Sequence, residues 1–161
     1  MAIKKDPPRA MDCALRVLSR RRVSTGQMES LLKRKGALES DINECIARLS
    51  EWGYLDDRRL AKDILHEALA TCPIGRRRAS YELLKRSFQK GISEDAVSEV
   101  FGELAEEDLA KEALSRKLRG RDLGSLKEKE RVRLARWLWR RGFDGQSIRS
   151  ALAGYGQDTL E

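Results

Sequence analysis

Two adjacent aspartates, Asp56 and Asp57, a single histidine, His66, and three cysteines, Cys13, Cys45 and Cys72, are the residues whose types suggest chemistry. A carboxylate pair can hold a divalent cation or divide acid and base roles. No further ligand type stands at a suitable spacing here. The cysteines are odd in number, far apart and form no Cys-x-x-Cys pair. The aspartates are therefore expected to cap a helix, accepting from free N–H groups and opposing the helix dipole. The thiols are expected to be free and buried in a reducing cytoplasm. No Gly-x-x-x-x-Gly-Lys-Ser/Thr phosphate loop occurs, and no nucleophile–base pair can be assembled. The expectation is a protein that is not an enzyme, with no cofactor and no metal.

The remaining chemistry is binding. The net charge is +7, which suits an acidic partner. Arg76, Arg77 and Arg78 follow "CPIG" and open a helix. Cations there oppose the dipole, so local stability does not explain them. They read either as contacts to phosphates or carboxylates or as a solvated surface. Arg78 could also pair with a carboxylate between helices. In "LKEKERVRLARWLWRRG", Lys129, Arg133, Arg136 and Arg140 fall on one helical stripe. Leu134, Leu138, Ala135, Val132 and Trp139 are read as the opposite, core-facing arc, and Trp137 as the stripe's edge. The stripe with Trp137 could hold an acidic partner or stack on a base, or it could be a solvated face.

The elements that must position these residues are helices. Ala, Leu, Arg, Lys and Glu abound and prolines number three, a composition that favours helix. No apolar run approaches the ~20 residues of a membrane span, and "MAIKKDPPRA" lacks the apolar core of a signal peptide. Charge comes in blocks: residues 91–110 carry seven acids and no Lys or Arg, between basic stretches. Three segments align on a glycine, at Gly36, Gly91 and Gly142. After each comes an i, i+4, i+7 apolar face: Ile42, Ile46, Leu49; Val97, Phe101, Leu104; Ile148, Leu152, Tyr155. The glycines are read as left-handed C-caps, and Ser40, Ser93 and Asp144 as N-caps. With two helical patterns upstream of each glycine, the unit is helix–helix–helix with a period of roughly 50 residues. The expected fold is all-α, with three tandem three-helix repeats in an elongated, curved array of either hand. Its parts are an arm over 1–9, repeats over 10–55, 56–104 and 105–155, and a tail over 156–161. In "EWGYLDDRRLA", Gly53 should cap the last helix of repeat one and Asp56 or Asp57 should start the next. Tyr54 and Leu55 should pack between repeats, making this a stiff joint. Trp52 is read as core or joint packing. Repeats two and three are expected to be joined by a nearly continuous helix.

The segment "GYLDDRRLA" resembles the Gly-Tyr-Leu-Asp-Asp-x-Arg-Phe-Ala signature of RecX regulatory proteins, with Leu60 at the Phe position. Gly75 to Leu83 resembles that family's Gly-x-x-Arg-Ile-x-x-Glu-Leu; Arg78, Glu82 and Leu83 match and Ala79 stands for Ile. "KGIS" at Lys90 to Ser93 and "RGF" at Arg141 to Phe143 match as well. The resemblance covers most of residues 10–155. It implies three tandem three-helix repeats and binding to the RecA recombinase filament on single-stranded DNA. It also implies limits on filament extension, strand exchange and ATP hydrolysis, with no catalytic residues. About one helical turn more than the family spacing lies between Leu83 and Lys90. A longer second helix in repeat two is expected, with Phe88 continuing its core stripe.

The function expected is a cytoplasmic, monomeric regulator of the RecA filament, with direct DNA contact possible and no membrane association. The alternative is a direct nucleic-acid binder, since three-helix units resemble helix-turn-helix folds.

Overall fold

Residues 10–153 of the chain are described by a computed structural model, and among them there are nine α-helices and no strand. The helices are α1 (Ala10–Leu18), α2 (Thr25–Arg34), α3 (Glu39–Glu51), α4 (Asp57–Thr71), α5 (Arg76–Lys85), α6 (Lys90–Phe101), α7 (Glu106–Leu118), α8 (Glu128–Arg140) and α9 (Gly145–Ala153). The all-α expectation holds. The arm over 1–9, the tail over 156–161 and Tyr155 lie outside the described residues. Packing divides the chain into two compact units. One comprises residues up to Ala61 with Leu83–Ser93; the other comprises Lys62–Glu82 with Glu94 onward.

In the first unit α1, α2 and α3 pack pairwise on one another. Ala14, Met28, Leu32, Ile42, Cys45 and Leu49 are buried at their centre. Burial, then the charge of Glu44, pushes the Cys45 thiol above its usual range and keeps it protonated. Ser24 caps α2, accepting from the Gln27 N–H at 3.2 Å while the Gln27 amide oxygen accepts from the Ser24 N–H at 3.3 Å. At the end of α3, Gly53 takes φ +74°, and the Tyr54 N–H closes on the Leu49 carbonyl at 2.8 Å, as in a left-handed helix stop. The two aspartates that follow divide the capping. Asp56 accepts from the Arg59 N–H at 3.0 Å and caps α4. Asp57 accepts from the Thr25 N–H at 2.8 Å and so serves the first turn of α2. Leu55 joins the core, whereas Tyr54 and Trp52 are exposed, 60% and 54%. Those two aromatics are therefore not packing residues: the tight closure on Leu49 turns only Leu55 inward.

The α5–α6 corner belongs to this unit and corrects the sequence alignment. Helix α5 stops at Lys85, and the left-handed residue is Ser87, φ 58°, not Gly91, which lies inside α6. The Phe88 N–H reaches the Leu83 carbonyl at 3.3 Å, just as Ala37 reaches Leu32 and Phe143 reaches Leu138. The residues equivalent to Gly36 and Gly142 are thus Ser87 and its neighbours, and each stands three residues before its following helix. No turn is inserted in α5, which at ten residues is as long as α2. Phe88 is buried beyond the helix rather than on its stripe. Ser93 is not a cap; it is buried within α6 and its hydroxyl donates to the Gln89 carbonyl at 3.1 Å. Ser40 likewise lies inside α3, whose N-cap is Leu38. The Ser87 corner sits on the start of α2. The Ser24 hydroxyl donates to the Arg86 carbonyl, and a Cβ at Gly26 would collide with the Ser87 carbonyl oxygen.

In the second unit α7, α8 and α9 pack pairwise. Leu109, Ala113, Leu114, Leu138, Ile148 and Ala151 are buried there. The run from α6 to α7 is not continuous. Gly102–Ala105 break it: the Arg76 guanidinium binds the Phe101 carbonyl, and three acids, Glu106, Glu107 and Asp108, open α7, which favours a new helix start. Leu104 is exposed rather than core, and Ile46 and Leu152 are only half-buried. Asp144 caps α9, accepting from the Ser147 N–H at 2.7 Å. The α8–α9 corner, with Gly142 at φ +87°, sits on the start of α5. The Gly75 N–H donates to the Arg141 carbonyl at 2.9 Å. Arg141 itself donates to the carbonyls of Pro73 at 2.9 Å and Cys72 at 2.6 Å.

Candidate functional site

Helix α8 carries the site because its buried direction is narrow. Leu138 is fully buried and Leu134 half-buried; on the wheel they lie about 40° apart. Measured from their mean, Trp137 lies about 80° away and Trp139 about 120°. Trp137 accordingly is the half-buried one, with Lys117 Nζ at 5.5 Å and the Arg141 guanidinium at 5.2 Å from its ring. Trp139 is 52% exposed and Val132 40% exposed. The assignment of Trp139 and Val132 to the core is corrected: both point with the basic stripe. Lys129, Arg133, Arg136 and Arg140 are exposed, as the wheel requires.

Two hollows flank Trp139. The larger, about 700 Å³, is lined by Arg133, Arg136 and Arg140 of α8, by Trp139, and by Ile148 and Arg149 of α9. The smaller, about 320 Å³, is lined by Arg77, Arg78 and Tyr81 of α5 with Trp139, Arg140 and Gly142. No carboxylate lines either one. Among the described residues, Arg133, Arg136 and Arg140 make no ion pair. The Arg77 guanidinium lies 3.9 Å from the Trp139 ring centre, and its Nη2 donates to the Trp139 carbonyl at 3.3 Å. Arg78 pairs with Glu82 one turn on and lies 5.4 Å from the Tyr81 ring. Tyr81 is 54% exposed.

Arg76, the first of the run, is used inside the fold. It lies over the Phe101 ring at 5.5 Å and pairs with Glu106 at 3.7 Å. Burial, then the nearby Asp144 charge, holds the Glu106 carboxyl above its usual range. Hydrogen bonding from Ser147 holds Asp144 below its own. The structure thus joins Arg77 and Arg78 to the α8 stripe and places Arg76 and Trp137 in packing contacts. The places of Trp139, Tyr81, Ile148 and Arg149 at the site did not emerge from the sequence; centring the α8 wheel on Leu134 and Leu138 alone would have found Trp139. Among the described residues no group of three metal-ligating side chains occurs, and no helix is long and apolar enough to cross a membrane.

No protein-family model matches the chain. The regulatory protein RecX of Chlorobium phaeobacteroides is 32% identical over 150 residues, covering 91% of this chain and 93% of that one. The chain belongs to the RecX family. The RecX of Pelodictyon phaeoclathratiforme is 34% identical over 146 residues, with 90% and 88% of the two chains covered. The crystal structure of RecX from Lactobacillus salivarius superposes with a TM-score of 0.75 at 19% identity, over 91% of this chain and 94% of that one, which shows a shared fold. In RecX terms, "GYLDD" is a double cap serving α4 and α2. Arg78, Glu82 and Leu83 of the second motif form an ion pair and a buried leucine on α5.

Proposed function

We propose that this chain is a monomeric, cytoplasmic regulator that binds the RecA filament on single-stranded DNA and inhibits its extension, ATP hydrolysis and strand exchange. It acts through association alone. Membership of a family of regulatory proteins supports this reading. We further propose three tandem three-helix repeats. The like-built corners after α2, α5 and α8, each with a left-handed residue three positions before the next helix, support that arrangement. An array can touch several neighbouring subunits of a filament, and weak contacts then add through effective concentration.

The observation that carries the site is the set of exposed arginines on α8, Arg133, Arg136 and Arg140, that pair with no carboxylate among the described residues. The test titrates the protein into RecA hydrolysing ATP on single-stranded DNA. Wild type should suppress hydrolysis, and added salt should weaken the effect. Reversing Arg133 and Arg136 to Glu should keep helicity and lose most of the inhibition, while Asp95→Lys with Glu103→Lys should keep it. Equal inhibition by both double variants would mean a merely solvated stripe.

A further inference from the structure

We infer that the hollow beside Trp139 binds an unpaired nucleotide of a single nucleic-acid strand, its base against the indole and its flanking phosphates on Arg133, Arg136 and Arg140. The inference rests on the reading of this face as the acting surface and adds the chemistry of what it holds.

The arginines alone would suit any polyanion. The indole narrows the choice. It is half exposed although a buried direction was open to residues on the other side of α8. One side of it is already braced by the Arg77 guanidinium at 3.9 Å. Arg77 lines the smaller hollow and not the larger one. The larger hollow is also lined by Ile148 and Ala135, apolar residues that cannot satisfy an anion but can border a flat ring. A base entering there would complete a guanidinium–indole–base stack, and such stacking is tolerant of sequence. An acidic peptide would use the arginines and add nothing to the indole beyond its existing contact with Arg77. A duplex would offer neither a free base face nor a shape that enters a hollow of about 700 Å³, a volume within the range of small-ligand sites. From Arg133 to Arg140 the helix rises about 10 Å, enough to set three guanidiniums along a short run of backbone.

The experiment needs no recombinase. The full chain is titrated with labelled oligo(dA), with dAMP, with a duplex and with oligoglutamate, following anisotropy and tryptophan fluorescence. Oligo(dA) should bind saturably with quenching; dAMP and duplex should bind at least about 10-fold more weakly. Trp139→Ala should weaken oligo(dA) binding about 10-fold, and Trp139→Phe should restore most of it. Arg133→Gln with Arg136→Gln should flatten the salt dependence, by roughly 0.7 in logarithmic slope for each phosphate that the variant no longer neutralises. Circular dichroism should be unchanged in all of these, because the replaced side chains are exposed. Duplex binding as tight as oligo(dA) would overturn the inference. So would dAMP binding as tight, oligoglutamate binding in place of oligo(dA), or indifference to Trp139→Ala. Filament inhibition that persists without oligo(dA) binding sinks this inference alone; oligo(dA) binding without inhibition sinks the filament reading and leaves this one standing.

Discussion

Replacing Gly75 with alanine should damage the protein far more than its ordinary backbone conformation suggests. Gly75 has no left-handed φ, so alanine there carries no intrinsic penalty. The added Cβ, however, would fall inside the carbonyl group of Gly142 and the amide of Phe143, roughly 1 Å closer than the ordinary ~3.5 Å separation. Those are backbone atoms of a tight corner, so no side chain can swing aside. Overpacking of this kind costs about 1–3 kcal/mol. Moving the corner also stretches the Gly75–Arg141, Arg141–Pro73 and Arg141–Cys72 hydrogen bonds, each contributing about 1 kcal/mol. A loss of about 3 kcal/mol is expected, which for a chain of this size lowers the midpoint of thermal unfolding by about 6–12 °C. The internal control is Gly53→Ala. There φ is +74° and nothing lies within 4 Å of the new Cβ, so only the left-handed strain of about 1 kcal/mol applies. Thermal melts followed by circular dichroism compare the two. If Gly75→Ala melts no lower than Gly53→Ala, the corner is not seated on α5 and the account of the second unit fails.

Ser87→Gly should raise stability by about 0.5–1 kcal/mol, because Ser87 holds φ 58°; an unchanged or lower urea midpoint would argue against a strained corner. Asp57→Ala should remove a cap from α2 and cost about 1 kcal/mol, with the α2 amides losing hydrogen-exchange protection before those of α3. Glu106 titrates above its unfolded value, so its ionisation opposes folding. Its contribution is favourable below the unfolded pKa and is lost as pH rises through the folded one. Glu106→Gln should therefore flatten the pH dependence of stability on the acid side of neutrality, and a wild-type-like profile would refute this.

Helices were legible because burial follows period: Ile42 and Leu49, Leu109 and Ala113, Ile148 and Ala151 sit where a 3.6-residue repeat puts one face inward. What failed was register at places where chemistry substitutes for residue type. Gly91 looked like the cap because it is glycine, yet Ser87 accepts the left-handed conformation and the real corner lies four residues earlier. The α6–α7 break was hidden because its stop is supplied by a distant arginine, Arg76, rather than by a local glycine cap. On α8 the two tryptophans lie symmetrically about Leu138, so the wheel alone could not choose between them. The packing of Leu134 tips the helix and leaves Trp139 with the arginines. The basic stripe itself was readable, since charges without apolar neighbours have nowhere to go but outward. Its α9 wall, Ile148 and Arg149, was not, because it comes from tertiary packing.

The seated corners set a clock on biosynthesis. The start of α2 is roofed by the Arg86 carbonyl, 62 residues downstream of Ser24. The carbonyl of Cys72 meets its arginine 69 residues later. At ordinary translation speeds of about 5–20 residues per second, the first contact must wait roughly 3–12 s after Ser24 has been made. During that interval the α2 start, with Gly26 leaving a bare notch, is open to solvent and to whatever else is nearby. A nascent chain stalled before residue 87 would thus be a different object from the same residues in the finished protein: helical, but unroofed. Force-sensing arrest sequences placed on either side of Ser87 would register the moment at which the roof closes.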